Sequence, residues 1–238
     1  VAQQSTDFFI GCDVSPCAFE MYWRLRGLEN TLYDLAENPE MAFTFLHRCC
    51  LFSKALSLAA FDRFTLDWLW TGDDIGGQSG MMLSPQVWRD LIKPNLKMVF
   101  DTAIAKGIVV AFHSCGAIRP VIEDLIDIGV NVLNPIQCNC PGMDPLELKK
   151  EYGSRLAFMG GLDTQNILPN GTADQVRKAA ARLIEGMTTD GGGYILAASH
   201  TVPPETPTEN IFALYHQAGI TKEEIFDRST HVRKNLKQ

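Results

Sequence analysis

Short runs of apolar, often β-branched residues alternate along the chain with longer segments whose apolar positions recur every three to four residues. Six short runs read as strands, at 8–12, 66–70, 108–112, 130–133, 156–159 and 194–197. Between them the spacing predicts helices at about 39–62, 85–106, 117–128, 145–152, 173–187, 208–218 and 221–234. Ser84-Pro85 offers an N-cap and a first-turn proline, Thr172, Thr208 and Thr221 stand near helix starts, and Gly107 and Gly129 stand where two helices would end.

Strands that are apolar on both faces and alternate with helices belong to a parallel sheet covered by helices, so the class is α/β. The first strand is followed by Asp13-Val14-Ser15-Pro16-Cys17 rather than a glycine-rich phosphate loop. That argues against an open doubly wound sheet and for a (β/α)8 TIM-type barrel. Six strands do not close such a barrel, so about six strand–helix units are expected here, with two more, roughly 80–110 residues, ahead of Val1. The chain reads as a single barrel domain over residues 1–238, truncated at its N-terminus.

Composition narrows the partners. With 28 acidic and 21 basic residues the net charge is -7, which disfavours phosphate backbones and anionic lipid, so neither nucleic acid nor membrane is expected as a partner. No apolar run approaches the ~18 residues of a membrane span, and Val1-Ala2-Gln3-Gln4 lacks a secretory pattern, so a cytoplasmic location is expected. The 7 cysteines, an odd number without even spacing, read as buried thiols or metal ligands rather than a disulfide framework. An open sheet edge favours self-association, and a homodimer is the expected form.

In a barrel the active site lies at the carboxyl ends of the strands. The polar residues there are Asp13 and Ser15, Asp73 and Asp74, His113 and Cys115, Asn134 and Gln137, Asp163 and Gln165, and Ser199 and His200. His113 and Cys115 follow a buried apolar run and stand two apart, roughly 6.6 Å along an extended chain and on one side of it. An imidazole and a thiolate so placed suit zinc. A third ligand is needed, and His200 after the last strand is the first choice, ahead of Cys138 and Cys140, with Glu20 more remote. At least one of Asp73 and Asp74 should project into the mouth, where a carboxylate binds a cation, accepts a proton or orients a substrate group. Asp163 follows Gly160-Gly161 and serves either a ligand or a short helix as its cap. Asp190-Gly191-Gly192-Gly193 precedes its strand and reads as a turn on the opposite face. His47, His216 and His231 fall in helical stretches, Cys49 and Cys50 read as core thiols, and Met81 and Met82 read as gap-fillers.

Together, Gly72-Asp73-Asp74-Ile75-Gly76 with Ser84-Pro85, Phe112-His113-Ser114-Cys115-Gly116, Asn134-Pro135, Gly160-Gly161-Leu162-Asp163-Thr164-Gln165, and Tyr194 to Ala197 with His200 resemble the uroporphyrinogen decarboxylase superfamily of (β/α)8 barrels. The resemblance implies one of two chemistries. Corrinoid-linked methyltransferases hold zinc through an HxC pair and a later Cys and activate a thiol, whereas the decarboxylases remove acetate carboxyls from a tetrapyrrole without metal. The HxC pair is similar to the first branch, while Ser199-His200 stands where the later Cys would be. The arginine cluster of the decarboxylases belongs to the front of the family, outside this chain.

The expectation is therefore a zinc-dependent, methyltransferase-like enzyme, with a corrinoid protein as methyl carrier and a thiol as acceptor. His113, Cys115 and His200 are its expected metal ligands. Asp73, Asp74 and His200 are its expected catalytic groups, and Asn134, Gln137, Asp163 and Gln165 its expected substrate contacts. The alternative is a metal-free uroporphyrinogen decarboxylase of porphyrin biosynthesis acting on a tetrapyrrole substrate through His200 and the aspartates. A third is a corrinoid- or tetrapyrrole-binding barrel without turnover.

Overall fold

The computed structural model describes the backbone of residues 9–235 and the side chains of residues 9–228. One parallel sheet runs through it: β1 (Gly11–Asp13), β2 (Trp68–Gly72), β3 (Val109–His113), β4 (Val132–Ile136), β5 (Ala157–Leu162) and β6 (Tyr194–Ala198), paired in chain order. A doubly wound sheet would reverse its order at a switch point, and this one never does. It is the winding of a (β/α)8 barrel, with β1 and β6 left at the two edges among the described residues.

Helices fill the crossovers. After β1 come α1 (Phe19–Arg26), α2 (Leu28–Glu37) and α3 (Pro39–Phe61), and after β2 a short α4 (Pro85–Val87) passes through a π turn at Trp88–Ile92 into α5 (Lys93–Ile104). A 3₁₀ turn at Arg119–Val121 leads into α6 (Ile122–Asp127), and α7 (Pro145–Tyr152) follows β4. Then come α8 (Ile167–Asn170) and α9 (Ala173–Met187), and beyond β6 lie α10 (Thr208–Gln217) and α11 (Lys222–Asn235).

The differences from the sequence expectation have local causes. The strands run one to three residues beyond the apolar runs at their mouth ends, because the inward-facing polar residue there still pairs with its neighbour, as His113 does with Gly72 and Asn134. The first strand begins at Gly11, and Phe8 lies outside the described residues. The single helix expected over 85–106 is broken: Pro94 in the first turn of α5 has no N–H to give and crowds the turn before it, so the chain widens into a π turn. Pro120 likewise delays α6. The short α1, α2 and α8 were not expected. The α7 and α9 spans agree, with Asp144 capping the first and a Thr172–Gln175 capping box opening the second. The side chain of His231 lies outside the described residues.

Alternation along the strands separates two layers. Leu69, Val110, Phe112, Leu133 and Phe158 point outward into the buried core beneath the helices, where Phe100 meets Phe112 edge to face at 6.0 Å. Cys17, Cys49 and Cys50 are buried thiols on the helix side, as expected of the last two. Trp68, Trp70 and His113 occupy the other face and stay half-exposed. At the opposite end of the strands the glycine turn closes on Lys149, whose ammonium donates to the Gly192 carbonyl at 2.9 Å and pairs with Asp190 at 2.8 Å.

Asp73 does not project into the mouth. It is wholly buried, and its carboxyl accepts the N–H groups of Phe19 at 2.9 Å and Glu20 at 2.6 Å. It takes the place of a cap at the start of α1, where Ala18 has no side chain able to do so. Burial pushes this carboxyl up to about 7, against the pull of those hydrogen bonds. An unfolded aspartate loses its proton near ~4, so the native state holds an extra proton between those values and the Asp73 contribution to stability falls as pH rises through them. Asp73→Ala leaves two buried N–H groups without an acceptor and is expected to cost about 2–4 kcal/mol at about pH 5, with the gap to the wild type narrowing toward about pH 7.5. Urea unfolding at both values checks the size and the sign.

Candidate metal centre

Register brings the mouth residues level. Gly72 stands opposite His113, and His113 opposite Asn134. His113 Nδ1 lies 2.7 Å from Asn134 Oδ1, while Asn134 Nδ2 donates to the Met159 carbonyl at 3.4 Å. A carbonyl only accepts, so the amide nitrogen must face Met159 and its oxygen must face the imidazole. His113 therefore donates from Nδ1 and keeps a lone pair on Nε2, the form a metal requires.

That Nε2 lies 3.6 Å from Cys115 Sγ and 3.6 Å from Asp74 Oδ1. Asp74 Oδ1 also accepts the Cys115 N–H at 2.8 Å, which ties the loop after β2 to the turn after β3. His200, on the exposed segment after β6, presents its ring 6.0 Å from that of His113 at 66°. Ligand atoms of His113, Cys115 and His200 all lie within 4.8 Å of one another. Tetrahedral zinc with nitrogen and sulfur donors spaces them about 3.3–3.6 Å apart, and the His113–Cys115 pair already matches. Two nitrogens and one sulfur converging on a half-open point fit zinc.

Burial pushes the Cys115 thiol up to about 12, and the Asp74 carboxylate adds to it. A cation bound there must displace that proton. In front of the ligands lies a cleft of about 430 Å³, walled by Ser15, Glu20, Arg24, Trp70 and Asp74. Glu20 receives Arg24 at 2.5 Å and the Asp74 N–H at 3.3 Å. Sequence reasoning named Glu20 only as a remote ligand and passed over Arg24 and Trp70. Strict alternation back from Gly72 would have found Trp70; Arg24 rides on the unexpected α1.

The other expected contacts stand behind the ligands rather than on the cleft wall. Asn134 backs His113, and Gln137 Oε1 accepts the Gly116 N–H at 2.8 Å. Asp163 caps its own loop, accepting the N–H groups of Gln165 at 2.7 Å and Asn166 at 3.0 Å and the Asn139 amide at 2.9 Å. Burial opposes its ionisation, yet the hydrogen bonds from Asn166, Gln165 and Asn139 prevail and hold it below the usual carboxylate range. Gln165 donates to Gln78 at 3.3 Å. Cys138 lines a separate cavity of about 260 Å³, and Cys140 is buried with its thiol toward Gln78 at 3.9 Å; neither joins the ligand cluster.

A family model described as uroporphyrinogen decarboxylase matches residues 9–218. Among curated proteins, the methylcobamide:CoM methyltransferase MtaA of Methanosarcina barkeri is 28% identical over 133 residues, covering 56% of this chain and 36% of that protein. The uroporphyrinogen decarboxylase of Thermus thermophilus is 28% identical over 135 residues, covering 54% and 35%. The matches thus span little more than a third of these relatives. Among solved structures, a methyltransferase from Methanosarcina mazei superposes with a TM-score of 0.61 at 21% identity over 80% of this chain and 52% of that one, a likeness of fold.

Asn134→Leu keeps the bulk and removes the acceptor on His113, and is expected to weaken zinc binding by roughly 10–100-fold, whereas Asn134→Asp restores an acceptor and retains it. Titration against a competing chelator checks both.

Proposed function

The chain belongs to the uroporphyrinogen decarboxylase family, and from that premise we propose that it is a zinc-dependent methyltransferase-like enzyme that methylates a thiol, with a corrinoid protein as the methyl carrier. The observation that carries this reading is the convergence of His113, Cys115 and His200 at the strand ends, beside an open cleft. The MtaA relatives support it, since their printed activity is transfer from a methylcobamide to CoM.

Zinc, when bound, supplies a Lewis acid that lowers the pKa of a thiol substrate and keeps it deprotonated near neutral pH. The rest is the work of side chains. His113, with Nδ1 committed to Asn134, directs Nε2 at the ion position. Cys115 contributes its sulfur from a turn held by Asp74, and His200 approaches from across the mouth. In this reading the aspartates position groups rather than react: Asp74 holds Cys115, and Asp73 sets the start of α1, which carries Glu20 and Arg24 to the cleft. The Glu20–Arg24 pair and Trp70 border the path by which a thiol enters, and the half-exposed cleft leaves room for the carrier to present its methyl group. The new sulfur–carbon bond forms as the donor's bond to that carbon breaks, and the thiol proton leaves to solvent.

A second reading is tetrapyrrole decarboxylation. It is favoured by the curated decarboxylases, which match over the same length at the same level of identity. In that reading His200 and Asp74 face the pyrrole and no metal is needed.

Purified protein is expected to carry one zinc ion per chain, and His113→Ala and Cys115→Ala each to lose it. Transfer from methylcobalamin to a thiol is expected to fall at least ~100-fold in both variants and on chelation, and to return with added zinc. Full transfer by zinc-free protein overturns the proposal, and decarboxylation of a porphyrinogen by the same zinc-free protein establishes the second reading.

A further inference from the structure

Four consecutive backbone N–H groups follow His113, and each has its own acceptor. Ser114 donates to the Asn134 carbonyl at 2.8 Å, Cys115 to Asp74 Oδ1 at 2.8 Å, Gly116 to Gln137 Oε1 at 2.8 Å and Ala117 to the Gly77 carbonyl at 2.9 Å. Their acceptors alternate between β4 with its following loop (Asn134, Gln137) and the loop after β2 (Asp74, Gly77), so the turn is tied on both flanks. The Cys115 sulfur is placed by how well these four bonds hold the turn.

Three of these acceptors are committed by their own surroundings. The carbonyls of Asn134 and Gly77 are backbone, and the Asp74 carboxylate has an oxygen at either end. Gln137 is different: its amide has an oxygen at one end and a nitrogen at the other, and a half-turn would set an NH₂ against the Gly116 N–H. The Gly116 N–H, which can only donate, selects the oxygen end of this amide, and Gln78 holds its nitrogen end. Gln137 Nε2 donates to Gln78 Oε1 at 3.0 Å, and the same oxygen receives Gln165 Nε2 at 3.3 Å. Gln78 belongs to a small hairpin closed by the pairing of Gly76 with Met81 and by Gly77 N–H to the Gly80 carbonyl at 2.7 Å. That hairpin lies in backbone contact with the metal turn. A Cβ on Gly76 would overlap the Cys115 carbonyl, and one on Gly116, whose φ is +84°, would overlap Gly76.

We infer that Gln78 is a positioning residue for the Cys115 sulfur: one amide oxygen in the loop after β2 holds the nitrogen end of the Gln137 amide, and the oxygen end of that amide holds the turn carrying the thiol. The inference rests on the metal-site reading above and adds to it a residue that touches neither metal nor substrate. Gln165, held by the same oxygen, extends the tie to the loop after β5, so three strand-end loops meet at Gln78.

The test uses zinc affinity by chelator competition and the near-ultraviolet sulfur-to-metal band of the cobalt(II)-loaded protein, neither of which depends on turnover. Gln78→Leu is expected to lower zinc affinity roughly 10–100-fold and to weaken or shift the cobalt band. Gln78→Glu keeps an acceptor for both amides and is expected to stay within about threefold of the wild type. In Gln78→Leu/Gln137→Glu the group facing Gly116 has only oxygens, so orientation no longer matters and much of the affinity is expected to return. A wild-type cobalt band and affinity in Gln78→Leu, a large loss in Gln78→Glu, or no recovery in the double variant overturns the inference while leaving the metal site intact. Wild-type protein that binds neither zinc nor cobalt overturns the metal-site reading itself, and this inference with it.

Discussion

The register of three neighbouring strands governs the mouth of this barrel. With Gly72 opposite His113 and His113 opposite Asn134, the imidazole has a residue without a side chain on one flank and an amide on the other. The space matters as much as the bond: a Cβ on Gly72 would lie 3.0 Å from that of Ser15 and 3.4 Å from that of His113. A slip of β3 by one residue would turn the imidazole away from the cleft and toward the helices. Parallel pairing at this register brings an imidazole and a thiol, two residues apart in sequence, to one point beside the cleft.

Side chains of one type do different work at this mouth because their surroundings differ. Asp73, sealed beneath α1, is pushed up by burial and serves backbone N–H groups. Asp163, less enclosed and richly hydrogen-bonded, is held down and stabilises its own loop. Asp74, half-exposed, bridges the cleft wall and the Cys115 turn. The thiols follow the same logic. Cys17, Cys50 and Cys115 are all pushed up by burial, yet only Cys115 has imidazoles beside it and a cleft before it. Chemistry here is assigned by location and partners, and residue type merely sets what is available.

Much of the architecture was legible in the residues because apolar periodicity reports burial directly. Six strands, their parallel pairing and the long helices follow from it. What escaped was short or broken. Helix α1 is as long as α7 but lacks the capping Asp144 and first-turn proline that mark α7; its start is held instead by Asp73, far away in sequence, and this places Arg24 at the cleft. Pro94 and Pro120 show in the sequence, but whether a proline ends a helix or only widens a turn depends on what packs beside it.

His113 and Cys115 were paired by the sequence itself, since alternation along a strand is a property of the backbone and needs no knowledge of the rest of the chain. The residues around them were not. That His200 comes within reach, that Cys138 and Cys140 do not, that Asn134 and Gln137 stand behind the ligands, and that Gln78 joins three loops are all consequences of tertiary closure. Those partners are separated by tens of residues, and only the packing of helices on the sheet sets the distances between them. Local backbone geometry repeats with a period a reader can count; contact between distant loops has no such period and is decided when the whole layer assembles.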